Sequence, residues 1–302
     1  MTALVAAPDT LAPAYTHCER LAREHYENFP VASLLLPSAM RPHIAAIYAF
    51  ARRADDFADE PGPGSDERLR LLHDWRHRLH VKAPEGAAPD DLIFKALHNT
   101  IAIHSLPVSL FDDLLTAFAQ DVTTHRYATW ADVMDYCRRS ANPVGRLVLR
   151  VAGHDDPRLD AASDAVCTAL QLTNFWQDFA RDWGHGRLYL PVEERDRQGA
   201  READLDVGRM TREWKAALRV AAARTRDLFA TGRPVADAVR GRLRWELRLT
   251  WLGASRILDR LEAADFEVFD RRPALGARDA APLIWQAVTW GHGPRMHTDR
   301  HG

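Results

Sequence analysis

The chain reads as one all-α domain, and three observations predict it. Long segments rich in Ala, Leu, Arg and Glu repeat their apolar residues at three-and-four spacing, the period of a helix. No run alternates apolar and polar residues as a half-buried strand would. No stretch has the composition of a linker, no repeat recurs at a period of about 20 to 50 residues, and no glycine-rich phosphate loop follows a strand. A length of 302 residues then makes one large domain. About nine to eleven helices are expected, with residues 1–290 as the domain and 291–302 as a frayed tail.

The elements follow in order. The N-terminal MTALVAAPDTLAPAY lacks a basic region and is broken by prolines, so no signal peptide is expected. AIYAFARRADDFADE (Ala46 to Glu60) is helical in pattern and runs into the turn PGPG, Pro61 to Gly64. Ser65 before Asp66 and Glu67 marks a helix start, with Leu69, Leu72, Trp75 and Leu79 as its apolar stripe. PEGAAPDD (Pro84 to Asp91) is a loop. Pro107 opens VSLFDDLLTAF, where Phe111, Leu114, Leu115, Phe118 and Ala119 form a second stripe. LQLTNFWQDFARDW (Leu170 to Trp183) is read as one helix, ended by the loop GHGRLYLP, Gly184 to Pro191. Arginines gather between Arg240 and Arg260, but Glu246, Asp259 and Glu262 interleave with them, so a solvated helix face is expected there. His292, His297 and His301 belong to the tail rather than to a metal site.

Composition excludes several functions. The chain is 46% hydrophobic with a mean hydropathy of −0.34, enough for a core but without a membrane-spanning run of about 20 apolar residues. Membrane association is therefore expected only as peripheral contact, at the inner face of the membrane. Forty Lys and Arg against 42 Asp and Glu give −2, so no global field attracts nucleic acid. Cys18, Cys137 and Cys167 form no CxxC pair and no even set, which argues against a disulfide framework or zinc site and fits a reducing cytoplasm.

Two acidic clusters carry the chemistry. At 100° per residue, Arg52, Asp55 and Asp59 fall at about 40°, 340° and 20° from Tyr48, with Asp56 at the stripe's edge. Ile44, Ile47, Phe50 and Phe57 occupy other sectors, so the helix is apolar over much of its girth and the polar stripe must face a cavity or partner. With Glu60 the cluster sets four carboxylates against Arg52 and Arg53, a local excess that suits a divalent cation. Taken alone, the pattern also fits a helix end with ordinary ion pairs. The second helix repeats the device: Asn174, Asp178 and Asp182 fall at about 300°, 340° and 20° from Gln171. Such a stripe is costly on an apolar helix unless something binds there. Its hard oxygen donors suit Mg²⁺. Facing each other, the clusters would hold two or three Mg²⁺ ions bridging to a substrate diphosphate.

These two stretches, YAFARRADDFAD and QLTNFWQDFARDWGHGRLYLP, resemble the motifs of the squalene/phytoene synthase family of all-α isoprenoid enzymes. HYENFPVASLLLP (His25 to Pro37) looks like its N-terminal substrate-binding segment, which brings in Asn28 and Phe29. YCRRSANPVGRLVLRVAG (Tyr136 to Gly153) resembles its central Tyr-Cys…Val-Gly helix. The resemblance spans roughly Tyr26 to Arg272 and implies a helical bundle around a central cavity. One departure stands out: the family usually has arginine directly before the second acidic motif, and this chain has Gln177. The wording is similar to the branch that makes hydroxysqualene in bacterial hopanoid synthesis. That resemblance implies ionisation of presqualene diphosphate and capture of the rearranged cation by water, with Mg²⁺ and without nicotinamide. Head-to-head prenyl transfer giving presqualene diphosphate, squalene or phytoene is the neighbouring alternative.

Under that reading Asp55, Asp59, Asn174, Asp178 and Asp182 hold the cations, with Asp56 in support. Arg52 and Arg187 contact diphosphate directly, the alternative for each being an ion pair to a neighbouring aspartate. Phe29, Tyr48, Tyr136 and Phe175 line an apolar cavity, and Tyr136, Asn142 or Gln171 places the water. Gln177 fits a site that handles one diphosphate rather than two. A helical binding protein with solvated acidic faces would instead release no diphosphate, and a lipid-surface module would need a continuous basic face that the sequence lacks.

Overall fold

The computed structural model describes residues 8–24, 36–59 and 62–291. They run through α1 (Pro8–Glu24), α2 (Arg41–Asp59), α3 (Ser65–His80), α4 (Pro89–His104), α5 (Val108–Thr123), α6 (Trp130–Ser140), α7 (Asn142–Val151) and α8 (Pro157–Gln177). The second half continues with α9 (Phe179–Gly184), α10 (Val192–Gln198), α11 (Glu202–Asp206), α12 (Arg212–Gly232), α13 (Val235–Ala238), α14 (Gly241–Ala263) and α15 (Ala277–Val288). Eleven of these have ten residues or more and correspond to the long helices the periodicity predicts. The other four, α9, α10, α11 and α13, are too short for a three-and-four stripe to announce them. Among the described residues the one β contact is an isolated parallel bridge between Arg126 and Leu188.

Local chemistry explains where the helices start and stop. Thr129 caps α6 through a reciprocal box with Asp132. Asp156 accepts from the Arg158 amide ahead of Pro157 at the start of α8. Pro89 likewise opens α4, so the last three residues of PEGAAPDD form a helical first turn, with Asp90 and Asp91 favoured near the positive end of the dipole. The expected central helix is divided at Ala141 (φ −117°, ψ −45°), because Pro143 can continue only as the first turn of a new helix.

Two helices act as hubs. The α2 helix packs against α1, α3, α4 and α5. Its Phe50 is fully buried, edge-on to Phe94 and Phe111 and stacked on Trp75. The α8 helix packs against α12, α7 and α14, and its Trp176 indole donates to the Thr225 hydroxyl at 2.9 Å. Close approach explains two glycines. A Cβ on Gly145 would stand 2.3 Å from Ser163 Oγ, and one on Gly232 would meet the Ala162 carbonyl and Val166 amide of α8 at 2.7 Å. Helices α5, α6 and α7 join the two groups, leaving the acidic ends of α2 and α8 on opposite sides of a cleft. Among the described residues no helix is long and apolar enough to cross a membrane.

Candidate active site

The first wall of the cleft is the last two turns of α2. Arg52 spans Asp55 at 3.3 Å and Asp56 at 2.7 Å, the spacing that brings side chains three and four apart together. Asp59 is ion-paired to Arg187, which arrives from the far side of the cleft. Asp55 keeps 38% of its side chain open, yet it sits in a concavity among protein atoms. Burial first, then repulsion from Asp59, pushes its pKa up to about 6, against the pull of Arg52.

The second wall differs from the single helix expected. The helix breaks at Asp178 (φ −96°, ψ 11°), so α8 ends at Gln177 and α9 begins at Phe179. Aspartate competes with helical hydrogen bonding and favours such junctions. The four-residue register survives the break: the Asp178 amide donates to the Asn174 carbonyl and the Asp182 amide to the Asp178 carbonyl, each at 2.8 Å. Gln171, Asn174, Asp178 and Asp182 therefore still share one face, and all four line the cleft with Asp55. Burial, reinforced by Asp178, raises the Asp182 pKa to about 7.

The segment after α9 closes the floor. Gly186 takes a left-handed φ of 76°, and the chain then runs beside residues 125–128, with the Leu188 amide donating to the His125 carbonyl and the Val192 amide to that of Tyr127. This carries Arg187 to Asp59 and presses Tyr189 flat on Phe175, ring centroids 3.7 Å apart. Tyr136 and Tyr127 complete an aromatic box around Tyr189. Tyr136 donates to Asp121 Oδ2 at 2.9 Å.

The resulting cleft has a volume of about 170 Å³ and a strongly polar lining. A wider hollow of about 500 Å³ lies over Ala12, Pro13 and His17 on α1; it is shallow, apolar and lined by no carboxylate among the described residues, so the cleft is the candidate site. Of the sequence-predicted residues, Asp55, Tyr136, Gln171, Asn174, Phe175, Asp178, Asp182 and Arg187 come together there. Asp56 and Asp59 are held beside it in ion pairs with Arg52 and Arg187, and Tyr48 packs partly buried against the core. Gln177 turns away and donates to the Pro273 carbonyl at 2.6 Å, beside Arg272, which grips both carboxylate oxygens of Asp178 through its Nε and Nη2. Asn142 is buried and accepts the Thr168 hydroxyl at 2.9 Å, away from the cleft lining. Asn28, Phe29 and Glu60 lie outside the described residues, as does the histidine tail.

Sequence reasoning missed Asp121, Tyr189 and Arg272. Asp121 had a signal: it falls about 20° from Leu114 on the buried stripe of α5. Tyr189 sits in a segment read as a plain loop, and Arg272 reaches Asp178 from 94 residues away.

The donors fit a hard divalent cation. Every ligating atom the walls offer is oxygen, and Asp55 and Asp182 are crowded carboxylates that a cation would relieve. Among the described residues no three His, Cys, Asp or Glu side chains stand close enough to form a ready-made metal cage. Mg²⁺ is usually held by one or two carboxylates, its shell completed by phosphate and water.

The family model for squalene/phytoene synthase matches residues 22–279. The chain is 40% identical to a hydroxysqualene synthase of Zymomonas mobilis over 207 residues, covering 67% of each chain. It is 36% identical to a hydroxysqualene synthase of Rhodopseudomonas palustris, covering 79% of this chain and 80% of that one. Among solved structures, the squalene synthase HpnC of Alicyclobacillus acidocaldarius superposes with a TM-score of 0.79 at 38% identity, covering 86% of this chain and 97% of the other.

Proposed function

Since the chain belongs to the squalene/phytoene synthase family and is an isoprenoid synthase, we propose that it ionises presqualene diphosphate and lets water capture the rearranged carbocation, giving hydroxysqualene and diphosphate. The observation that carries this reading is the meeting of two oxygen-lined walls and an aromatic box in one cleft. Its relatives named as hydroxysqualene synthases support the choice of branch.

Asp55, Asp59, Asn174, Asp178 and Asp182 would hold two or three Mg²⁺ ions, with Asp56 in support through Arg52. When bound, Mg²⁺ neutralises the negative charge that develops on a departing diphosphate. The residues themselves do the rest. Arg52 and Arg187 exchange their aspartate partners for phosphate oxygens, which match a planar guanidinium fork. A cleft of about 170 Å³ is on the scale of the diphosphate head, below the roughly 300–1,000 Å³ of a pocket that encloses a whole ligand. Tyr136, Phe175 and Tyr189 turn aromatic surface toward the cation left behind. Gln171 lines the same cleft as the metal-binding stripe and this box and helps to place the water. Gln177 faces Pro273, which supports a site built for a single diphosphate.

Incubation of the purified protein with presqualene diphosphate and Mg²⁺, without nicotinamide, tests the proposal by mass spectrometry of the products. Hydroxysqualene is expected. No turnover there, with condensation of farnesyl or geranylgeranyl diphosphate instead, would move the enzyme to the prenyl-transferring reactions of the family, a reading the HpnC neighbour's description as a squalene synthase favours.

A further inference from the structure

Asp121 is the cleft carboxylate that belongs to neither acidic wall. It stands on α5, on the buried stripe of Leu114 and Ala117, and enters the cleft beside Tyr136 and Tyr189. Its Oδ2 is fixed by the Tyr136 hydroxyl at 2.9 Å, while Oδ1 is buried and without a hydrogen-bond partner among the described residues. A buried carboxylate oxygen left unanswered is costly, and one that lines a cleft is placed to accept a hydrogen bond from what enters it.

On the reading that the reaction ends in water capture, we propose that Asp121 Oδ1 holds the attacking water and accepts its proton, with Tyr136 as the positioning residue that aims the carboxylate. The balance is simple. The carbon–oxygen bond to diphosphate breaks and the electron pair leaves with diphosphate. A water lone pair then forms the new carbon–oxygen bond. One O–H bond of that water breaks, its electrons stay on oxygen to give the neutral alcohol, and the proton goes to Asp121.

The competing groups are otherwise engaged. Water bound to a carbocation is a strong acid, and a base beside it takes up its proton at once. Gln171 and Asn174 are neutral amides with no basic lone pair at neutral pH. Asn142 is committed to Thr168. Tyr136 is a neutral phenol whose pKa burial, and then Asp121, raise far above its usual value, so it serves as donor. Asp55, Asp178 and Asp182 are the carboxylates assigned above to the cations, and Asp178 is also paired with Arg272. The aromatic faces of Tyr136, Phe175 and Tyr189 shelter a cation without quenching it, which leaves Asp121, among the described residues, as the base beside the box, within electrostatic reach of Arg187, Asp59 and Asp55. Burial raises its pKa to about 7, which suits a group that must take up a proton and release it again near neutrality.

The test compares wild type with Asp121→Asn on presqualene diphosphate and Mg²⁺, reading diphosphate release and the alcohol-to-hydrocarbon ratio together. The variant is expected to lower alcohol formation about tenfold more than diphosphate release, the excess appearing as hydrocarbons formed by loss of a C–H proton. Asp121→Glu should restore part of the alcohol. If Asp121→Asn does not fold, Asp121→Ser, smaller and still able to accept from Tyr136, is expected to give the same shift. An unchanged product ratio overturns the proposal. A parallel loss of both signals with a raised Mg²⁺ requirement also overturns it, making Asp121 a metal ligand. Wild type that yields no alcohol at all contradicts the water-capture reading itself, a result distinct from either variant outcome.

Discussion

The two acidic walls solve one problem by different means. On α2 the carboxylates lie on an unbroken helix and are answered locally: Arg52 reaches Asp55 and Asp56 at three and four residues' distance. On α8 and α9 the helix is broken at the central aspartate, half the donors are amides, and the answering charge, Arg272, comes from the far end of the chain. Arg187 ties the walls together by pairing across the cleft with Asp59. The contrast teaches that helical periodicity presents the donors of both walls, whereas the charges that answer them are local for Asp55 and Asp56 and come from distant segments for Asp59 and Asp178.

The largest expected effect treats the walls as equals. Asp55→Asn and Asp182→Asn should each lower kcat/KM for diphosphate release about 10²–10³-fold, the scale of losing one preorganised electrostatic contact, in steady-state assays. A deep loss from one and a slight loss from the other would break the symmetry. Acidity comes next. Asp55 and Asp182 titrate at about 6 and about 7 in the folded, metal-free protein, above the ordinary aspartate value. Between that ordinary value and neutrality the folded state holds protons the unfolded chain has released, so stability falls as pH rises through this window. His17, His43, His98, His104 and His125, whose pKa values burial lowers, act in the opposite sense, so the effect is read as a difference. In thermal melts, the Tm of metal-free protein at pH 8 minus that at pH 5.5 should be more positive in Asp182→Asn than in wild type. Mg²⁺ with diphosphate should raise it in wild type.

Packing separates the walls. Gly232→Ala forces a methyl group against the Ala162 carbonyl and Val166 amide of α8 and should cost about 1–3 kcal/mol in denaturant unfolding. Its kinetic damage should resemble that of second-wall variants. The smallest effect is at Gln177. Losing its bond to Pro273 loosens the segment that carries Arg272, so Gln177→Ala should raise KM about 2–10-fold with little change in kcat, the worth of one hydrogen bond.

The legibility of the molecule follows the same division. The all-α class and the long helices came from period and breakers, because α2, α3 and α5 bury the stripes that the spacing marks. The oxygen faces of both walls were legible too, since the four-residue register persists through the break at Asp178. What escaped was non-local. The Pro273 carbonyl that takes Gln177 and the Arg272 that grips Asp178 have no local signature. Tyr189 acquires its place only when its segment lies beside residues 125–128. Asp121 was visible as a carboxylate on an apolar stripe, but a single acid without a neighbour does not announce a site.

The most direct test of the two-wall account is calorimetric titration of Mg²⁺ into the protein with and without inorganic diphosphate. The account predicts weak Mg²⁺ binding alone, because neither wall is a complete cage, and much tighter binding once diphosphate bridges them. Asp55→Asn and Asp182→Asn should each weaken that coupling. Equally tight Mg²⁺ binding without diphosphate, or coupling that survives the loss of either wall, would contradict it.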